Sequence, residues 1–278
     1  MLAEQLPDLA DLPVERVEST GTVNALFRLG DRYVARLPLV ERWSDAIERE
    51  WRWIPWLTRR VCSLRLPEPV FKGEPSGSFP FAWSVYRWID GATYDDRLID
   101  DEEAAATTLA AFVLELRSLD VPDEAPTGGR EPLRTLDDDT RDAIRSSAGS
   151  IDADAAMRVW EEALDAPVWD GKRVWIHGDL LRPNLIVHDG HLEAVIDLGY
   201  IGAGDPATDL IPAWSVFAAR GRERFRTEIA PDDGGWSRGR GIALHQAVMI
   251  IPYYTETNPR FVELARRTID QILDDFSS

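Results

Sequence analysis

Several residue types that mark particular classes of protein are scarce in this chain. The 278 residues include a single cysteine, Cys62, which excludes an internal disulfide and a cysteine-based metal cluster. Only two of the 31 basic residues are lysines, and the formal net charge is −18, so a basic face for nucleic acid is not expected. No apolar run approaches the roughly 18 residues of a membrane-spanning helix.

The first residues are acidic and do not resemble a signal peptide. Together with the lone cysteine, this predicts a cytoplasmic protein without a membrane partner. The negative charge could draw a cationic substrate towards the protein, or it could simply keep the protein soluble. The sequence leaves both interpretations open, and it does not determine the oligomeric state.

The organisation of the chain changes near Asp90-Gly91. Before this point the pattern predicts strands at 14–17, 25–29, 33–37, 70–72 and 81–88, with one helix from about Ser44 to Arg60 that Pro55 should kink or split. After it, helices are predicted at 101–119, 153–164, 205–219, 241–253 and 258–276, and 120–150 is predicted to be an irregular exposed excursion. We therefore expect an α+β fold with a β-rich lobe at 1–89 and a mainly helical lobe at 90–278.

One carboxylate stands out within the predicted helix 44–60. Glu50 lies on the apolar face that Ile47, Ile54 and Leu57 form. A carboxylate among core positions needs a partner, because an unpaired buried charge carries a large desolvation cost. Arg36, near the end of the strand just upstream, is the expected partner, although an exposed glutamate at the edge of the apolar face is the alternative.

The densest group of polar residues follows the short apolar run 174–176. His177-Gly178-Asp179 is followed by Asn184, and a second strand-like pair then ends at Asp197. Carboxylate and amide oxygens are suitable ligands for Mg²⁺, and a further carboxylate can orient a hydroxyl group. The grouping of Asp179, Asn184 and Asp197 therefore favours phosphoryl transfer.

These residues resemble the aminoglycoside phosphotransferase family, whose members are small-molecule relatives of the protein kinases. The family motif His-Gly-Asp-x-x-x-x-Asn matches 177–184, Ile196-Asp197 matches its metal site, and Gly204-Asp-Pro-Ala-Thr-Asp-Leu210 matches its next motif. Further similarity lies at 19–24, 33–38 and 83–88, so the resemblance covers most of the chain in the expected order. It implies a two-lobed, kinase-like fold with ATP or GTP and Mg²⁺ in the cleft.

The resemblance also implies roles for individual residues. Asp179 would be the catalytic carboxylate, and Asn184 and Asp197 would bind Mg²⁺. His177 and Asp209 would brace the catalytic loop, whereas Arg182 could contact the γ-phosphate or point to solvent. The nucleotide would be bound by Ser19, Thr20, Gly21 and Thr22 over its phosphates, by Arg36 paired with Glu50, and by backbone groups of Tyr86, Trp88 and Ile89 at the adenine edge.

The expected reaction is transfer of the nucleotide γ-phosphate to a hydroxyl of a small molecule. An aminoglycoside, a macrolide or another antibiotic is favoured as the acceptor, and a sugar or amino alcohol of primary metabolism is the alternative. A nucleotide-binding regulator without activity is disfavoured because all three polar groups are present. A protein kinase is disfavoured because about eight residues separate Asp197 from Pro206, too few for an activation segment.

The acceptor site is expected within 120–165 and 205–260, with Glu256 as a candidate.

Two other patterns do not indicate sites. Gly202-Ala-Gly-Asp-Pro-Ala207 fits the dinucleotide-binding fingerprint, but Asp205 would repel a pyrophosphate and the βαβ unit is missing. His188 and His191 flank Asp189-Gly190, an ordinary hairpin turn, so an exposed pair is expected there rather than a metal site.

Overall fold

The computed structural model describes residues 1–18, 23–41 and 44–277. Its first part is strand-rich. The elements there are α1 (Leu2–Gln5), β1 (Val14–Val17), β2 (Asn24–Leu29), β3 (Tyr33–Pro38), α2 (Ser44–Leu57), β4 (Pro69–Gly73) and β5 (Trp83–Arg87). These strands form a five-stranded antiparallel sheet in the order β1-β2-β3-β5-β4. The strands predicted from the sequence are all present, because alternating apolar residues and turn signals are local features.

Helix α2 packs against this sheet and against the turn after Asp197. It buries Ile47, Ile54 and Leu57, as expected from their spacing, and Glu50 is buried among them with 1% exposure. Pro55 does not split the helix, and the kink expected as the other outcome stays a prediction. The helix continues through Pro55 and ends at Leu57, since Pro55 forfeits only the bond from its own nitrogen to the Trp51 carbonyl oxygen and the helix stops soon after it.

The rest of the chain is mainly helical. Its elements are β6 (Ala92–Thr93), α3 (Glu102–Ser118), α4 (Asp137–Ser146), α5 (Ala153–Asp165), β7 (Val174–Ile176), β8 (Leu185–His188), β9 (His191–Val195), β10 (Gly202–Gly204), α6 (Pro212–Ser215), α7 (Ala219–Ile229), α8 (Asp233–Tyr254) and α9 (Pro259–Phe276). Strands β6, β8 and β9 form one small sheet, and β7 pairs with β10. The predicted α+β class is confirmed, whereas the division at 89/90 into two lobes stays a prediction.

Helix α3 lies at the centre of the helical part and packs against α7, β7 and β9. Its Leu109, Phe112, Val113 and Leu116 are fully buried. Large aromatic side chains fill the core around it, since they remove much apolar surface from water. The buried tryptophans of the described chain are Trp53, Trp83, Trp160, Trp175, Trp214 and Trp236. Within the described ranges, no helix combines the length and the apolar character that crossing a bilayer requires.

Four predictions for the helical part are wrong. The helix predicted at 205–219 is instead a 3₁₀ segment (Pro206–Leu210) followed by the short α6, which ends at Ser215. The stretch 120–150 is not only an exposed excursion, because α4 buries Thr140, Ala143 and Ile144 against α5 and α8. Helix α7 was not expected, since its highly charged sequence hides the apolar face. Helix α8 begins at Asp233 rather than 241, and its glycines serve close packing: a Cβ on Gly241 would lie 2.5 Å from Ala163 Cβ. Glycine has a low helix propensity, so a prediction from local sequence starts the helix too late.

Candidate active site

The predicted catalytic residues lie on the loop between β7 and β8. Gly178 has a φ of 85°, and a Cβ there would lie 2.9 Å from the Tyr200 carbonyl oxygen. This tight left-handed turn accommodates glycine without strain. It brings the chain back so that Asp179 and Asn184 face the same space.

Buried hydrogen bonds hold this loop from behind. The Asp209 carboxylate accepts bonds from the backbone N–H groups of His177 (2.7 Å) and Gly178 (2.9 Å). His177 Nδ1 accepts the Asp179 N–H at 3.2 Å, and Nε2 donates to the Ile196 carbonyl oxygen at 3.2 Å. Both residues therefore brace the loop, as expected. Burial raises the pKa of Asp209, although the two N–H donors oppose that rise.

The Asp179 carboxylate is held by side chains from three parts of the chain. Oδ2 accepts a bond from Asn184 Nδ2 at 3.0 Å, and Oδ1 accepts one from Gln246 Nε2 at 2.7 Å. Arg130 Nη2 lies 3.5 Å from Oδ1. Burial raises the pKa of Asp179, and the nearby positive charge of Arg130 acts in the opposite direction. A fixed carboxylate of this kind can orient a hydroxyl and accept its proton.

Asn184 and Asp197 present oxygens that could hold a metal ion. The Asn184 carbonyl oxygen accepts the Ile196 N–H at 2.9 Å, which places Asn184 directly beside the residue that precedes Asp197. The Asn184 amide nitrogen bonds to Asp179, so its Oδ1 faces away from those bonds. Asp197 has a left-handed backbone (φ 61°), and its side chain is 36% exposed. These hard oxygen donors fit Mg²⁺, which takes few protein ligands and keeps water and phosphate as the others.

Arg36 connects the sheet, α2 and the turn at Asp197. Its Nη1 lies 2.8 Å from Glu50 Oε1, and its Nη2 lies 3.0 Å from Asp197 Oδ1. Tyr86 donates its hydroxyl hydrogen to Glu50. The expected Arg36–Glu50 ion pair is confirmed. Burial alone would lower the pKa of Arg36, but the carboxylates of Glu50 and Asp197 raise it well above its usual value.

The residues predicted at the adenine edge follow strand β5. Tyr86 is paired within the sheet and its side chain is buried, so only its backbone could reach a ligand. The Trp88 N–H donates to the Arg32 carbonyl oxygen at 2.8 Å and is therefore not available to a ligand. Ile89 is the next residue in the chain, beyond the hydrogen bonds of the sheet. Contact of Tyr86, Trp88 and Ile89 with a nucleotide stays a prediction. Ser19, Thr20, Gly21 and Thr22 lie outside the described residues.

Arg182 fits neither of its two predicted positions. It is 6% exposed, its Nε donates to the Val216 carbonyl oxygen at 3.1 Å, and its Nη2 contacts Asp96 at 2.6 Å. The side chain therefore points into the helical core rather than towards phosphate or solvent. These bonds hold the loop between β7 and β8 against the C-terminal end of α6.

Sequence reasoning missed Gln246 and Arg130. Gln246 follows His245 in α8, and its amide in an otherwise apolar stretch of the helix was the available signal. Arg130 follows Gly128-Gly129 within the stretch 120–150, which was predicted to be an irregular exposed excursion. Neither residue is close in sequence to the motif it contacts.

Within the described chain, no group of three His, Cys, Asp or Glu side chains has the arrangement of a metal site. A site with two protein ligands, completed by phosphate oxygens and water, is compatible with this finding. His188 and His191 face each other across the β8–β9 hairpin as an exposed pair, as expected.

Comparison with known proteins places the chain in a family. The model of the phosphotransferase enzyme family matches residues 16–242. No curated protein sequence matches the chain significantly.

Solved structures with a similar fold include the wild-type aminoglycoside 2′-phosphotransferase-IIIa in its GDP complex, with a TM-score of 0.77, 17% identity, and coverage of 99% of this chain and 97% of that one. The GDP and kanamycin complex of APH(2″)-IIIa has a TM-score of 0.74 at 17% identity, with the same coverage. The macrolide 2′-phosphotransferase MphH from Brachybacterium faecium has a TM-score of 0.59 at 19% identity, covering 97% of this chain and 98% of that one. At these identities the likeness establishes the kinase-like fold.

The family model spans most of the chain, and the chain therefore belongs to the phosphotransferase enzyme family.

Proposed function

We propose that this protein transfers the γ-phosphoryl group of ATP or GTP to a hydroxyl of a small molecule. The observation that carries the proposal is the Asp179 carboxylate, held by Asn184 at 3.0 Å and Gln246 at 2.7 Å. It lies beside a turn whose Asp197 contacts the Arg36–Glu50 pair. Such an arrangement provides a fixed acceptor for a proton next to ligands for a nucleotide and its metal.

The reaction follows from these positions. Asp179 orients the acceptor hydroxyl and takes its proton as the oxygen–phosphorus bond forms and the bond to the β–γ bridging oxygen breaks. Arg36, held by Glu50, would bind nucleotide phosphate oxygens. Asn184 and Asp197 would hold Mg²⁺, which supplies charge neutralisation on the phosphates. Because the transition state is loose, positioning contributes more than the strength of the base.

An antibiotic is the acceptor that the observations favour. The net charge of −18 favours a cationic molecule, and proteins of similar fold have been solved with kanamycin, gentamicin and streptomycin. A macrolide phosphotransferase has a similar fold, so a macrolide acceptor is also compatible. A sugar or amino alcohol of primary metabolism remains the alternative. The acceptor would lie against 120–165 and 205–260. The single cysteine favours a location in the reducing cytoplasm.

The test is a nucleotide-consumption screen with ATP and GTP over hydroxylated antibiotics and common metabolites, with mass detection of the product. We expect one acceptor class to gain a single phosphoryl group in a magnesium-dependent reaction. Asp179→Asn should lower kcat about 1,000-fold, because general-base positioning contributes on that order, while nucleotide binding is retained.

The control variant is Asp270→Asn, at an exposed position of α9 outside the expected acceptor ranges, and it should retain full turnover. Unchanged turnover in Asp179→Asn would remove Asp179 from the reaction. Nucleotide binding without transfer to any acceptor would favour the regulatory protein over the kinase.

A further inference from the structure

Arg130 is a cation at the catalytic carboxylate that the family motifs do not include. Its side chain is 24% exposed, and its Nη2 lies 3.5 Å from Asp179 Oδ1. The guanidinium carbon lies 5.4 Å from the centre of the Tyr200 ring. The Arg130 Nε is buried, without a hydrogen-bond partner in the part of the chain that the structure describes.

The backbone around Arg130 is built for close approach. Gly128 N donates to the Ala203 carbonyl oxygen at 3.1 Å, and Ala203 N donates to the Pro126 carbonyl oxygen at 2.7 Å. A Cβ on Gly128 would lie 2.8 Å from the Gly202 backbone. Gly129 has a φ of 86°, and a Cβ there would lie 2.9 Å from Thr208 Oγ1. The two glycines thus seat the segment on β10 and direct the next residue to Asp179.

Arg130 lies farther from its carboxylate partner than the two other arginines near the site, Arg36 and Arg182, lie from theirs. Arg36 contacts Glu50 at 2.8 Å and Asp197 at 3.0 Å. Arg182 donates to Val216 and Asp96 and faces away from the site. The 3.5 Å contact of Arg130 is long for an ion pair, and Asp179 Oδ1 already accepts the shorter bond from Gln246. Among the described residues no carboxylate lies closer to Arg130 than Asp179, so its Nη groups are the donors that a ligand could engage.

The position of Asp179 defines which ligand reaches these donors. In the proposed reaction, the acceptor oxygen and the γ-phosphorus meet beside the Asp179 carboxylate. The transferred group spreads negative charge over its equatorial oxygens, and a planar guanidinium binds such oxygens in pairs.

We propose that Arg130 is a catalytic residue that binds the equatorial oxygens of the phosphoryl group during transfer. This inference rests on the proposed function. In the step, the acceptor oxygen–phosphorus bond forms, the bond from phosphorus to the bridging oxygen breaks, the hydroxyl proton passes to Asp179, and the nucleoside diphosphate leaves. Arg130 exchanges no proton or electron, and it stabilises the charge while both bonds are partial.

The experiment compares binding of the nucleoside diphosphate with binding of a transition-state mimic. Calorimetry would measure the affinity for Mg·ADP and Mg·GDP, with and without aluminium fluoride, which occupies the position of the transferring phosphoryl group. For Arg130→Ala we expect diphosphate affinity within about twofold of wild type and a loss of about 100-fold in fluoride-dependent affinity, the usual effect of removing one charge-stabilising donor. Arg130→Lys should show a smaller loss, because it keeps the charge without the fork.

Arg134→Ala is the matched control, since Arg134 lies on the same segment, is exposed, and donates to the Leu164 carbonyl oxygen. It should bind both ligands as wild type does. Equal fluoride-dependent affinity in Arg130→Ala and wild type would overturn the proposal. Loss of diphosphate affinity in both Arg130 variants, with a lowered melting temperature, would also overturn it by showing a structural role.

A second comparison separates a direct role from an effect through Asp179. In an Asp179→Asn background, removing Arg130 should still weaken the mimic by about the same factor if Arg130 binds phosphate directly. No additional loss in that background would make Arg130 only a positioning residue for Asp179. Failure of the proposed function is distinct, because the wild type itself would then either show no affinity for Mg·ADP or Mg·GDP or bind them without any gain from aluminium fluoride.

Discussion

The stretch 174–199 and the segment 120–150 both contribute to the site, but they do so in different ways. In 174–199, the residues that could perform chemistry are neighbours in sequence, and the β7–loop–β8 geometry brings Asp179 and Asn184 together. In 120–150, one side chain, Arg130, reaches the site through backbone contacts of Gly128 with β10. The first region could be interpreted from its motif, whereas the second has a role only in the folded chain.

This difference shows how a site of this kind is assembled. A catalytic loop is specified by local turn geometry and short spacing, so its residues form a recognisable pattern. A side chain that approaches from another segment depends on the packing of both segments, which short-range patterns do not contain. Substitutions that loosen either the loop or its neighbour should therefore have separable effects.

The largest effect is expected at Asp209, which supports the stretch 174–199. Asp209→Ala would leave the buried N–H groups of His177 and Gly178 without their acceptor. Two unpaired buried donors should lower the free energy of unfolding by about 4 kcal/mol. Urea unfolding would measure this change, with Asp165→Ala as the exposed control. A loss no larger than that of the control would mean that the loop is held by other contacts.

A smaller effect is expected where the segment 120–150 meets β10. Gly128→Ala places a Cβ 2.8 Å from the Gly202 backbone, so one of the two strands of chain must shift. We expect a loss of about 2 kcal/mol in unfolding free energy, as for overpacked positions, and a lower kcat because Arg130 moves with it. Thermal unfolding and turnover would be measured together.

Gly149→Ala is the control for this substitution, because nothing lies within 4 Å of a Cβ at that position. It should change stability by less than about 0.5 kcal/mol. If both glycine variants behaved alike, the close contact with β10 would not be what holds the segment in place.

The smallest effect concerns the attachment of α4 to α8. His245 Nδ1 lies 2.8 Å from Thr140 Oγ1, and burial, with a contribution from Arg130, lowers the pKa of His245 from 6.5 to about 4, whereas Asp139 acts to raise it. Between these values the unfolded chain binds a proton that the folded protein does not. The stabilisation from neutral His245 is therefore complete above pH 6.5 and decreases as the pH falls towards 4.

From pH 7.5 to 5.5 this group should remove about 1.4 kcal/mol of stability. His245→Asn keeps a donor for Thr140 and should abolish that part of the pH dependence in urea unfolding. His191→Asn, at an exposed hairpin position, should leave the pH dependence as in wild type. The same slope in His245→Asn and wild type would show that His245 does not titrate as its burial implies.

Most of the strand-rich part could be predicted, and less of the helical part. Strands β1 to β5 follow apolar alternation and turn residues, which act over a few positions. Helix α7 and the first part of α8 were not predicted. The charged residues of α7 and the glycines of α8 obscure the apolar periodicity of the buried face. For example, Gly241 has poor helix propensity, yet its missing side chain lets Ala163 pack against α8.

The site shows the same division. The Arg36–Glu50 pair was predictable, because a carboxylate on an apolar helix face requires a cation nearby. The loop-bracing contacts of His177 and Asp209 followed the family motif. Arg182 was not predictable, since its charge suggested phosphate or solvent, whereas the fold directs it to the Val216 carbonyl oxygen.

By itself the sequence determined the fold class, the family and the residues of the loop that we propose to be catalytic, because strand alternation, turn chemistry and motif spacing are encoded locally. The tertiary structure alone decided that Gln246 and Arg130 meet the Asp179 carboxylate and that Arg182 turns away from it. In sequence, Gln246 lies 67 positions and Arg130 lies 49 positions from Asp179, and Arg182 lies 34 positions from Val216. Only the packing of the intervening helices brings such distant groups within bonding distance.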